Sequence, residues 1–354
     1  MSVLPKLLTP LKLRELTIKN RIFMSPMCQY SARDGIPGPW HMVHLGSRAV
    51  GGAGLVMVEA SAVAPNGRIS PSDTGIWHEQ QVQAFKPIVE FLESCGAIPA
   101  IQLAHAGRKA GTLEPWNGGG PINERWDIIG PSPEAFSEGY AAPREASAKD
   151  VETIIAQFET ATRHALTAGF KAVEVHMAHG YLLHEFLSPL VNNRHDQYGG
   201  TLENRMRLPL AVAARVRDLW PSHLPVFVRV SAEDWVPGGW DLEQTITLCH
   251  ELKKIGIDFI DVSSGGAVPD AKIPTKPGYQ VPLSKAIRLG ANIKTAAVGL
   301  ITSGQQAEQI LVSESADVIM IGREFLRDPY FPLRVARELG AEIAWPNQYL
   351  RAKP

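Results

Sequence analysis

Three polar rings fall within six positions, His176, His179 and Tyr181, in the stretch AVEVHMAHGYLLHEFLSPLVNNRHDQYGG spanning residues 172–200. His176 and His179 are three apart, so one turn of chain puts both imidazoles on one side. Two adjacent imidazole donors suit a carbonyl or phenolate oxygen that gains negative charge during reaction. Tyr181 adds a phenol, weakly acidic and able to hand over a proton in a dry pocket. A zinc site is the first rival. Metal-binding pairs on a helix favour i,i+4 spacing with a third ligand nearby, and HMAHGY has neither. A pair of satisfied core histidines is the second rival. Position weighs against it, because the motif leaves the end of a short strand-like run, where (β/α) barrels place their chemistry.

The rest of the chain has to position these rings. Short runs rich in Val, Ile or Met predict strands at Ile22–Met27, Gly54–Ala60, Ile98–Leu103, Ala172–His176, Pro225–Val230, Asp258–Ser263, Ile293–Val298 and Asp317–Ile321. Helical patterns lie between them, at 41–50, 79–94, 150–168, 202–219, 242–255, 283–289 and 305–313. Eight strands alternating with helices argue for an α/β fold of the (β/α)8 barrel kind, a single domain over residues 1–354. No GxGxxG follows a strand, which weakens a dinucleotide-binding doubly wound sheet. The opening LKLRELTIKN predicts a hairpin lid on the barrel floor. Residues 104–149, dense in Gly, Pro and Trp, predict a capping excursion after the third strand. Trp116 and Trp126 are its possible pocket walls, or packing against the barrel rim.

Charge is nearly balanced, with 35 basic against 36 acidic residues, so neither nucleic acid nor a membrane surface is implied as a partner. MSVLPKLLTP does not resemble a signal peptide, and no apolar run approaches the ~18 residues needed to span a bilayer. Cys28, Cys95 and Cys249 are scattered; they form no disulfide framework and are too few for a four-thiolate iron–sulfur centre. A cytoplasmic setting fits.

The other strand ends add to the site. The first leads into Ser25-Pro26-Met27-Cys28-Gln29-Tyr30, the second ends at Glu59-Ala60, and the third carries Gln102 before His105 to Lys109. Arg229 sits inside the apolar run FVRVS and needs an anionic partner, for which Glu174 on the preceding strand is a candidate. The last two strands end in Val298-Gly299 and Gly322-Arg323. Gly-Arg opening a helix after the eighth strand makes a phosphate cradle of backbone N–H groups and a fixed positive charge. A phosphorylated planar cofactor would use all of these: Gln102 could pair with a flavin's pyrimidine edge, and Arg229 could stabilise negative charge there after reduction.

The stretches KNRIFMSPMCQYSARDG, GGAGLVMVEASAV, IQLAHAGRKA, VEVHMAHGYLLHEFLSPLVNNRHDQYGG, VRVSAEDW and IGREFLRDP together resemble the Old Yellow Enzyme family of FMN-dependent ene-reductases, over essentially the whole length. The similarity is greatest to the thermophilic-like class that includes xenobiotic reductase A. The resemblance implies non-covalent FMN contacted by Ser25, Pro26, Met27, Cys28, Ala60, Gln102, Arg229, Gly299, Gly322 and Arg323. It implies NADPH (or NADH) as hydride donor and α,β-unsaturated compounds as acceptors. His176 and His179 would bind the substrate oxygen, Tyr181 would donate the proton and Cys28 would tune the flavin. Tyr30 and Ile76 would line the pocket. The tail 340–354 matches a class in which an arginine, here Arg351, enters a neighbouring subunit's site, implying a homodimer or higher oligomer. Two departures stand out: a longer 113–130 region, and a chain ending in Ala-Lys-Pro instead of a tryptophan.

Overall fold

The computed structural model describes residues 4–122 and 126–354. An antiparallel hairpin, β1 (Leu11–Leu13) and β2 (Leu16–Ile18), precedes a closed barrel of eight parallel strands. The barrel begins with β3 (Ile22–Met24), β4 (Leu55–Ala62) and β5 (Ile98–Ala104), after α1 (Pro39–Val50) and α2 (Glu79–Ser94) have filled the first two crossovers. The excursion follows and carries two short strands, β6 (Ile129–Gly130) and β7 (Arg144–Glu145). Then come α3 (Ala148–Ala168), β8 (Ala172–Met177), α4 (Leu182–Leu187), α5 (Leu202–Leu219), β9 (Val226–Ser231), α6 (Leu242–Ile255) and β10 (Phe259–Ser263). The barrel ends with α7 (Val281–Gly290), β11 (Lys294–Ala297), α8 (Gly304–Val312) and β12 (Val318–Ile321), and β12 pairs with β3 to close it. Two last helices, α9 (Arg323–Arg327) and α10 (Phe331–Glu338), lead into the tail.

The strands form where they do because both faces must be apolar in a barrel wrapped by helices. β4, LVMVEASA, is buried at every position. Five of the crossover helices, α2, α3, α5, α6 and α8, start on side-chain caps. Ser147 accepts from Asp150 N at 3.2 Å while Asp150 returns a bond to Ser147 N at 2.7 Å, and Asp241 accepts from Gln244 N at 2.9 Å. Each such cap contributes about 1 kcal/mol.

Inside the barrel the side chains stack in two layers. The lower is apolar: Ala100, Ala172, Phe227 and Phe259 join Phe23, Met57 and Met320, with the hairpin's Leu11, Leu13 and Ile18 sealing it from below. Phe227 and Phe259 meet at 4.9 Å between ring centres. Two residues further along the same four strands, on the same face, stand Gln102, Glu174, Arg229 and Asp261. The upper layer is therefore polar, all four residues are buried, and it lies at the carboxyl ends.

One expectation about the strands needs correcting. The first barrel strand stops at Met24 instead of Met27. Ser25 N still bonds to Ile321 O at 3.0 Å, after which Pro26, with no N–H, lets the chain leave the sheet. The excursion is tied down from outside itself, since the buried Arg194 Nη1 donates to Pro131 O and Ala146 O at 3.2 and 2.7 Å. Part of the 113–130 region, residues 123–125, lies outside the described residues.

Candidate active site

β8 delivers His176, and the chain turns sharply after it. His179 adopts φ +61, a left-handed conformation that costs a residue with a side chain about 1 kcal/mol or more. Several bonds hold it there. His179 N donates to Ser231 Oγ at 2.9 Å, and Lys109 Nζ donates to His179 O at 2.8 Å and Gly266 O at 2.5 Å. Gly266 has to be glycine, because a Cβ there would lie 2.7 Å from the His179 backbone. The rings of His176 and His179 meet edge-on at 5.2 Å, and those of His176 and Tyr181 also at 5.2 Å. The sequence triplet is thus one cluster in space.

Its electrostatics suit hydrogen-bond donation by neutral groups. Burial, then the neighbouring Arg229 charge, hold both imidazoles well below their usual range. Ser263 Oγ lies 2.6 Å from His179 Nε2. With the hydroxyl donating, Nδ1 of that ring carries the proton and is the donor available to a ligand. His176 Nδ1 is buried with no hydrogen-bond partner among the described residues. Burial raises the Tyr181 phenol well above its ordinary value, with Cys28 and Tyr30 next in effect, so it keeps its proton.

Cys28 and Tyr30 are half-buried on the loop after β3, and Tyr30, at φ +48, meets the exposed Trp116 edge-on at 5.8 Å. Burial, then Asp73 and Glu59, push the Cys28 thiol up, so it is a neutral group. Glu59, itself buried, anchors the loop: it accepts from Gln29 N and from His41 Nε2, the latter at 2.9 Å. Trp126 is placed elsewhere, stacked on Arg68 at 5.0 Å. Ile76 is fully buried among core residues, with its carbonyl 2.9 Å from His164 Nδ1, and does not open onto the mouth as expected. Arg351 is exposed in a short 3-10 turn, Asn347–Ala352, of the tail.

The candidate partner of Arg229 is also corrected. Asp261, not Glu174, lies beside it, with Oδ2 at 3.1 Å from Nε, close enough for an ion pair though too bent for a hydrogen bond. Register explains this: Arg229 is level with Asp261 on β10, whereas Glu174 is level with Gln102 on β5 and accepts from its Nε2 at 2.8 Å.

A cleft of about 160 Å³ opens beside this layer, between the ends of β9, β10, β11 and β12, lined by Arg229, Ser263, Gly299, Gly322 and Arg323 among others. Gly299 has φ +121, and a Cβ there would crowd Tyr279 at 3.1 Å. Arg323 is exposed and has no hydrogen bond or ion pair among the described residues. A free guanidinium, close backbone and a polar floor fit a phosphorylated flavin: Gly299, Gly322 and Arg323 for the phosphate, Gln102 and Arg229 for the polar ring edge, Ala60 and 25–28 for the rest. Among the described residues no group of three His, Cys, Asp or Glu side chains is placed to hold a metal ion.

Several of these groups escaped the sequence reading: Lys109 as a clamp on the His179 turn, Ser231 and Ser263 as its partners, Glu59 with His41, and Asp261. Ser263 closes an assigned strand and Ser231 directly follows one, so strand-end polarity was the available signal. The His41–Glu59 contact spans 18 positions and left none.

Comparison with known proteins agrees. The profile of the NADH:flavin oxidoreductase / NADH oxidase family matches residues 6–342. The NADPH dehydrogenase of Bacillus pumilus is 50% identical over 349 residues, 98% of this chain and 99% of that one. Morphinone reductase superposes with a TM-score of 0.79 at 28% identity, over 98% of this chain and 92% of that one. The old yellow enzyme homologue from Zymomonas mobilis superposes with a TM-score of 0.78 at 28% identity, over 99% of both chains. With the barrel, the flavin-shaped donor set and the His–His–Tyr cluster in place, the chain belongs to the NADH:flavin oxidoreductase / NADH oxidase family and is an FMN-dependent oxidoreductase of the Old Yellow Enzyme type.

Proposed function

We propose that this enzyme reduces activated C=C bonds of α,β-unsaturated carbonyl compounds, with NADPH as the hydride donor. The observation that carries the reading is the cluster of two neutral imidazoles and one protonated phenol at the mouth, beside the flavin ligands. The NADPH dehydrogenase relatives supply the donor. FMN, held by these residues, would supply the two-electron hydride chemistry that links a reduced nicotinamide to an electron-poor alkene.

The chain's own residues do the rest. His176 and His179 donate to the acceptor's carbonyl oxygen and stabilise the negative charge it gains as the double bond is attacked at its β-carbon. Removing one such donor commonly costs about 3 kcal/mol in the transition state. Tyr181 gives its phenolic proton to the α-carbon, and water restores it. Lys109, Ser231 and Ser263 fix the His179 turn so that the two donors converge. Cys28, held as a neutral thiol, borders the flavin and tunes it without forming a bond to substrate. Tyr30 is a wall of the pocket. Donor and acceptor use one pocket in turn, which implies ping-pong kinetics.

Arg351 belongs to the same proposal, as a residue that completes a neighbouring subunit's site. On its own chain the tail runs by the carboxyl ends of α1 and α2, where Trp345 and Tyr349 line a groove with Phe91 and Cys95. Trp40, exposed on α1, and Tyr330, exposed with its hydroxyl 3.1 Å from that of Tyr349, are of the types that give interfaces their energy. Deleting 347–354 should weaken acceptor binding and loosen a dimer while FMN is retained; unchanged kinetics and size would refute that role.

The test of the activity is anaerobic reduction by NADPH followed by reoxidation with a panel of enones, imides and nitro compounds. Rapid reoxidation by enones, with the saturated carbonyl as product, is the expected result. Reoxidation by oxygen alone, with no alkene consumed, would overturn it.

A further inference from the structure

Two carboxylates and one guanidinium share the polar layer above the barrel's apolar floor. Glu174 and Asp261 have no exposed surface, and Arg229 has 7%. Asp261 is paired in register with Arg229, and Glu174 with Gln102. Glu174 Oε2 and both Asp261 oxygens lack a hydrogen-bond partner among the described residues. One cation cannot offset two anions here, and an unpaired buried carboxylate keeps its proton in preference to staying charged. The charged groups facing Glu174 are Asp261 from β10 and Arg229 from β9; its neighbour on β5, Gln102, is neutral, and the layer beneath is Phe227, Phe259, Met57 and Met320. Asp261 is the carboxylate next to the cation, so the proton belongs on Glu174. Burial first, then Asp261, raise the Glu174 carboxyl to about 8, while Arg229 and the Gln102 bond act in the opposite direction.

Gln102 connects this carboxyl to the cofactor. An amide presents a donor at one end and an acceptor at the other, in nearly the same shape. An ionised Glu174 accepts from Gln102 Nε2, leaving Oε1 for the other side. A protonated Glu174 donates to Oε1 and leaves Nε2–H for the other side, the end that favours an electron-rich ring.

We propose that Glu174 is a positioning residue whose proton selects which end of the Gln102 amide meets the flavin's pyrimidine edge, so that flavin reduction draws a proton onto Glu174 wherever it is ionised in the oxidised enzyme. The two electrons come from the hydride donor. The proton comes from water to a carboxylate oxygen, and Glu174 is neither oxidised nor reduced. The proposal rests on Gln102 being a flavin ligand.

The experiment compares wild-type, Glu174→Gln and Asp261→Asn holoenzymes by midpoint potential against pH and by reduced-minus-oxidised infrared spectra. Well below pH 8 Glu174 keeps one proton through reduction, so wild type and Glu174→Gln should show parallel slopes. Above about pH 8 the wild-type potential should fall more steeply, by one further proton per two electrons, while Glu174→Gln keeps its slope. Reduction in that range should also create a protonated-carboxyl band in wild type and in Asp261→Asn, absent from Glu174→Gln. Parallel slopes at every pH would overturn the proposal, as would a band lost in Asp261→Asn and kept in Glu174→Gln. Should Glu174→Gln fail to hold FMN, the wild-type spectrum decides: no protonated carboxyl formed on reduction at alkaline pH overturns it. Gln102→Leu with unaltered FMN affinity would instead sink the underlying assignment of Gln102.

Discussion

At the barrel floor, Arg14 donates from Nε to Asp258 Oδ1 at 2.7 Å and from its two Nη atoms to the carbonyls of Ser222 and Gly256; at the mouth, Arg323 reaches solvent with nothing to hold. The contrast extends to their neighbours. On the floor, Asp258 also accepts from Val226 N at 3.0 Å, and Glu308 accepts from Lys6 N and Leu7 N at 2.8 and 2.7 Å. Around the mouth, His176, Glu174 and Asp261 keep buried polar atoms without hydrogen-bond partners. Native interiors rarely tolerate such atoms, since each costs about 1–3 kcal/mol. One end of these strands is thus satisfied and closes the barrel, and the other is left open for ligand atoms to complete.

If that division holds, substitutions at the two ends should separate stability from chemistry. The largest effect belongs to the floor. Phe259→Ala empties the centre of the lower layer, where Phe259 meets both Phe227 and Phe23. It should lower unfolding stability by about 3–5 kcal/mol, read by chemical denaturation. Whatever enzyme stays folded should still reoxidise with enones at the wild-type rate.

Arg323→Ala should do the reverse. A lost charge-assisted phosphate contact is worth about 1.5–3 kcal/mol, so FMN affinity should drop by roughly ten- to a hundredfold with apoprotein stability unchanged, as titration of apoprotein with FMN would show. An unaltered affinity would move the phosphate away from the cleft at Gly299 and Gly322.

Cys28→Ala should be milder still. The thiol is held neutral, so its loss should shift the FMN potential and substrate affinity while turnover survives. Abolished turnover at an unchanged potential would mean covalent catalysis.

The smallest effect is a flat pH response. Both site imidazoles titrate well below their ordinary range, so they remain neutral donors as pH rises from mildly acidic to mildly alkaline. Phenol binding should follow only the ligand's own ionisation. A loss of affinity as pH rises through the usual histidine range would show that a charged imidazole binds the ligand.

How much of this was legible in the sequence depends on whether a feature is local. The eight strands were readable because each is a short apolar run bounded by helix patterns. The candidate site residues could be picked out because they lie at the ends of those runs or just after them: Gln102 in IQLA, His176 and His179 in HMAH, Gly322 and Arg323 in IGRE. Partnerships across strands were not. Arg229 could be seen to need an anion, but choosing Asp261 over Glu174 requires the β9–β10 register, which no single strand encodes. Ile76 shows the same limit. The family resemblance implied a wall of the pocket, whereas pairing of its N–H with Ala62 O carries it into the core.

The central claim is that His176, His179 and Tyr181 act on the acceptor and leave flavin binding to others. Stopped-flow measurement of the two half-reactions in His179→Ala tests it most directly. The account predicts FMN bound, and reoxidation by an enone slowed about a hundred- to a thousandfold, the loss of one oxyanion donor. Reoxidation at the wild-type rate, with FMN in place, would contradict it.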